Sequence, residues 1–168
     1  LPPLDVASKV RLIWSLPLRL AHWGLAIMVL YDLMGESGPL HRYVGYAAAA
    51  LVLLRVLAGL RVPVGNPARL QWPRLRACVR HGRQLLAGRV ASCAGHAPLG
   101  AAMSLLIWSL VLALGLSGWI SRWDMFWGEE GVEEIHSALA TALQCCVVLH
   151  LLGVLVSSFV ERQNLARG

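Results

Sequence analysis

IHSALATALQCCVVLHLLGVLVSSFV, residues 135–160, holds two histidines but no Asp, Glu, Lys or Arg. A bilayer core of about 30 Å needs roughly 20 helical residues at about 1.5 Å of rise each, so this stretch is long enough to span one. Three others meet the same standard: about Leu16 to Met34, about Leu40 to Leu60 and about Pro98 to Ser121. Gly38 and Pro39 mark a tight turn between the first two, and Pro98 suits the first turn of the third. Of the 168 residues, 57% are hydrophobic and 14% charged, with a mean hydropathy of +0.61, which excludes an ordinary soluble domain. The expected architecture is all-α, an integral membrane four-helix bundle in which residues 1–168 form a single domain, without internal repeat or low-complexity tract.

The net charge of +6 sets orientation rather than nucleic-acid binding, because its arginines gather between particular spans. From Arg61 to Ala97 the chain carries Arg61, Arg69, Arg74, Arg76, Arg80, Arg83 and Arg89 and no carboxylate. That stretch is expected on the cytoplasmic side, joined there by Lys9, Arg11 and Arg19 before the first span and by Arg162 and Arg167 after the last. Both termini are then cytoplasmic. Residues 122–134 hold Asp124, Glu129, Glu130, Glu133 and Glu134 against one arginine and face outward. Trp119, Trp123 and Trp127 cluster at the outer boundary, with Trp14 and Trp23 near the inner one. Arg74 to Arg89, mixing arginines with Leu75, Val79, Leu85 and Leu86, predicts a short basic helix on anionic headgroups. With Leu1 in place of an initiator Met, a targeting segment ahead of the sequence is compatible with it, and none is visible within it.

Four histidines lie in the spans, where ionisable side chains are costly and usually functional. His22 falls in the inner half of the first span and His41 at the outer start of the second. His136 and His150 share the fourth, 14 residues apart. That separation is about 21 Å of rise and, at roughly 100° per residue, returns to within about 40° of the starting direction, so both rings project from one helix face. The four sort by depth into an outer pair, His41 with His136, and an inner pair, His22 with His150. Two neutral imidazoles from different helices at one depth are the donor set of a six-coordinate haem iron, so two pairs predict two b-type haems. Zinc would require three or four donors at one point, and no third His, Cys or carboxylate is expected at either level. Interhelical hydrogen bonding is the plainer alternative for each histidine alone.

Arg55 follows His41 by 14 residues and faces the interior near the inner pair, either to meet a haem propionate or to snorkel toward the inner headgroups. Gly45 gives a porphyrin room or serves helix packing. Met28, Met34, Met103 and Met125 read as filler. Cys78, Cys93, Cys145 and Cys146 form no CxxC or CxxCH, which argues against a zinc knuckle and covalent haem. His81 and His96 fall in the basic stretch as loop histidines, with His96 close enough to the third span to meet a propionate or quinone head group.

At these residues the sequence resembles the prokaryotic di-haem cytochrome b561 family and the related b-type cytochrome subunits of nickel-iron hydrogenases. The matching motifs are LPLRLAHW at 16–23, LHRYVGY at 40–46, GHAPLGA at 95–101, EEIHSALA at 133–140, the dipeptide LH at 149–150 and RQNL at 162–165. The resemblance implies His22, His41, His136 and His150 as axial ligands, a quinone as the lipid-soluble partner and a bacterial inner membrane as the location. The function expected is electron transfer between the quinone pool and a periplasmic partner, with the acidic outer stretch attracting a basic protein such as a c-type cytochrome. Two rivals share the haems: a membrane anchor subunit of a larger oxidoreductase such as a hydrogenase, and a stand-alone quinone reductase with a small outer electron donor.

Overall fold

The computed structural model describes residues 16–35, 37–63, 69–70, 72–86, 98–126, 128 and 130–165, with side chains except at 75, 81, 84–86, 98 and 157–165. The helices are α1 (Leu16–Met34), α2 (Pro39–Arg61), α3 (Leu75–Leu86), α4 (Pro98–Ile120) and α5 (Glu130–Leu165), with a short 3-10 turn at Asp124–Phe126. Among the described residues there is no strand. α1, α2, α4 and α5 are each long and apolar enough to cross a membrane, which makes the chain a multi-pass membrane protein as its sequence predicts.

Helix ends follow local chemistry. Pro39 sits in the first turn of α2, where its missing N–H costs nothing, and the Arg42 N–H donates to the Gly38 carbonyl at 3.1 Å. α1 closes with the Gly35 N–H on the Tyr31 carbonyl at 2.7 Å. Beyond α4, the N–H groups of Ser121, Arg122 and Trp123 satisfy the carbonyls of Ser117, Trp119 and Ile120. α5 departs most from expectation, beginning at Glu130 instead of Ile135 and running on to Leu165. The reason is electrostatic: Glu130 and Glu133 in the first turn face the positive end of the helix dipole, so a run that reads as an acidic connection propagates the helix.

α1 packs on α2, α2 on α4, and α4 on both α5 and α3. The core takes side chains from every span: Val29 of α1, Ala48 and Val52 of α2, Val111 of α4 and Leu143 of α5. Close approach of α2 and α4 depends on a missing side chain, because a Cβ on Gly115 would lie 2.8 Å from the Ala49 Cβ. The outer faces remain apolar: Leu54 is 64% exposed, Leu116 54% and Leu151 54%, a surface suited to lipid chains and not to water. α3 is the exception to this all-round apolarity. Cys78 is buried while Arg76, Arg80 and Arg83 are exposed, the segregation expected of a helix lying at an interface. The chain approaches it by returning against α2, where the Leu70 N–H donates to the Gly59 carbonyl at 3.2 Å.

Candidate functional site

The beginning of α1 and the latter half of α5 meet at one end of the bundle, and there the rings of His22 and His150 face each other with centroids 6.4 Å apart and planes inclined at 60°. At the opposite end, the start of α2 meets the start of α5. His41 and His136 stand there with centroids also 6.4 Å apart and planes inclined at 72°. The structure therefore brings the histidines together in the pairs that their depths predict. His41, His136 and His150 are half-buried and His22 is exposed.

At 6.4 Å between centroids, the two rings of each pair are close enough for one ion to be held between them. Among the described residues no three His, Cys, Asp or Glu side chains group as metal donors, and each pair offers two imidazoles from different helices, a donor set that a haem could take.

α4 supports the second pair. Ser117 Oγ lies 2.8 Å from His136 Nδ1 while donating its own proton to the Leu114 carbonyl at 3.1 Å. In the tautomer that carries its proton on Nδ1, His136 donates to this hydroxyl and Nε2 keeps its lone pair. Gly118 follows, and a Cβ there would come 3.4 Å from the His136 Cε1, so the glycine makes room for the ring. The Tyr46 hydroxyl donates to the Gly118 carbonyl at 3.5 Å, tying α2 to the same turn.

His41 has a neighbour that the sequence reading passes over. The Asp32 Oδ1 of α1 lies 3.5 Å from His41 Nδ1, so the expectation of no carboxylate at either histidine level is corrected. The available signal was an acidic residue within an otherwise apolar span, near the end that faces His41. A Cβ on Gly45 would come 3.2 Å from the Asp32 Oδ2. Arg55 is half-buried, its guanidinium 5.5 Å from the centre of the Trp108 ring of α4, a cation–π contact that periodicity does not foretell. Trp119 and Trp123 meet edge to face at 5.0 Å where α4 ends, and among the described residues Cys78, Cys145 and Cys146 form no disulfide. His96, Cys93, Trp14 and Trp127, like the side chain of His81, lie outside the described residues.

Among comparisons with known proteins, no curated protein and no solved structure matches the chain. A family model described as prokaryotic cytochrome b561 matches residues 13–167, a span that takes in all the helices and all four paired histidines.

Proposed function

The chain belongs to the prokaryotic cytochrome b561 family of transmembrane electron-transfer proteins, and on that premise we propose that it holds two b-type haems, one at each end of the bundle, and carries electrons between the quinone pool and a redox partner outside the membrane. The observation that carries this reading is the pair of opposed imidazole couples, each with its centroids 6.4 Å apart, at opposite ends of α5. Haem iron bound there supplies one-electron transfer by cycling between ferric and ferrous states.

The protein's own residues do the holding and orienting. His22 and His150 grip one centre from α1 and α5, while His41 and His136 grip the other from α2 and α5. Ser117 fixes the tautomer of His136. Arg55, half-buried with its guanidinium 5.5 Å from the centre of the Trp108 ring, follows His41 by 14 residues toward the His22/His150 end, where it would meet a propionate or reach the headgroups. The arginine-rich stretch that includes α3 lies on the cytoplasmic side with both termini, and the acidic residues around the start of α5 face a basic partner. In the second reading the chain anchors a larger oxidoreductase. It is favoured by the amphipathic, arginine-bearing α3, which offers a docking surface on the face opposite the acidic one.

A reduced-minus-oxidised spectrum of the purified protein, combined with its haem content, tests the proposal. Co-purification of a stoichiometric catalytic subunit on the arginine-rich face separates the second reading from the first.

A further inference from the structure

Asp32 has no part in the scheme above, yet it occupies a costly place. It sits in the last turn of a span whose other residues around it are apolar, and carboxylates within spans are retained for a purpose. Its Oδ1 and the Nδ1 of His41, 3.5 Å apart, are both shielded from solvent, and neither has a hydrogen-bond partner among the described residues. Its Oδ2 lies over Gly45, one turn along α2 from His41, where a Cβ would come within 3.2 Å. A larger residue at 45 would push the carboxylate away. The absent side chain and the two orphaned polar atoms describe one arrangement: a carboxylate aimed at the far nitrogen of an imidazole.

We infer that Asp32 is the positioning residue of the His41/His136 centre. Its carboxylate accepts the Nδ1–H of His41 once the gap closes by a few tenths of an ångström, which fixes the tautomer and leaves Nε2 free toward His136. The inference rests on the haem reading proposed above. It adds an asymmetry to it: His136 leans on a neutral hydroxyl, whereas His41 leans on a charged group that makes its imidazole a stronger donor. Negative charge and a stronger axial donor both stabilise ferric over ferrous iron, so Asp32 lowers the potential of this haem relative to what the two histidines alone would give.

The test uses the purified full-length protein in detergent, with haem content, a potentiometric titration and the low-spin EPR signals of the ferric form. The haem at issue is the one lost in His136→Ala. Asp32→Asn keeps the shape and an acceptor but removes the charge. It should retain both haems, raise the potential of that haem alone and shift its EPR signal, while Asp32→Glu stays nearer to wild type. Gly45→Ala, which displaces the carboxylate without touching it chemically, should move the same potential in the same direction, and adding it to Asp32→Asn should do nothing more. If Asp32→Asn fails to fold, Gly45→Ala still decides the matter. Unchanged potentials and signals at full haem content overturn the role of Asp32 and leave the two haems standing. A wild-type protein without haem at the His41/His136 pair overturns both.

Discussion

Ser117 Oγ and His136 Nδ1 are 2.8 Å apart, within hydrogen-bond reach, and the same hydroxyl lies 3.1 Å from the Leu114 carbonyl. Ser117→Ala removes this partner of the imidazole and frees the ring to turn. Loss of such a supporting bond typically weakens metal retention about 10- to 100-fold. The variant should release the haem of the His41/His136 pair during detergent washing while keeping the other, and Ser117→Thr should hold both. Equal retention of both haems in Ser117→Ala would count against this role.

The two centres share α5 but no ligand. His136→Ala should therefore remove or loosen one haem and spare most of the other, and His150→Ala should do the reverse. Haem content and the residual visible spectrum of each variant check this. Loss of both haems from either single variant refutes independent centres.

Between α2 and α4 the limit is steric. A Cβ on Gly115 meets the Ala49 Cβ at 2.8 Å, so Gly115→Ala overpacks the contact at a cost of about 1–3 kcal/mol. Its thermal unfolding midpoint in detergent should fall, and adding Ala49→Gly should recover most of the loss. A double variant no better than the single one would show that the helices do not meet there.

The acidic residues at the start of α5, Glu130, Glu133 and Glu134, are exposed or in the first turns of the helix. If they steer a basic partner, electron transfer to a basic c-type cytochrome should slow severalfold between low salt and about 0.15 M, where the screening length is about 8 Å. Stopped-flow traces that do not change with ionic strength argue for another docking face.

How far the sequence carried is clearest on α5. Fourteen residues separate His136 from His150, and a helix of fixed pitch turns that number into depth and direction, so the pairing with His41 and His22 was legible before any coordinates. What pitch does not give is the direction of side chains on a different helix. Asp32 and Ser117 each lie on helices whose rotation relative to the histidines is set by packing. A serine in a span also has an ordinary occupation: Ser104, Ser109 and Thr141 simply bond back to carbonyls four residues earlier. Ser117 makes the same kind of bond to Leu114 and supports His136 besides, and nothing in its neighbours marks it out. The early start of α5 is partly legible: Glu133 and Glu134 already fit charge compensation at a helix N-terminus, but the apolar pattern begins only at Ile135 and does not carry the helix back to Glu130. Spacing puts Arg55 on the interior face, but its contact with Trp108 joins two helices and has no local signature.

The most direct test is a haem count on the purified wild-type chain, read together with its reduced-minus-oxidised spectrum. The account predicts two non-covalent b-type haems per polypeptide, both with the sharp reduced bands of six-coordinate bis-histidine iron. A colourless preparation, or one fully loaded with a single haem, would contradict it.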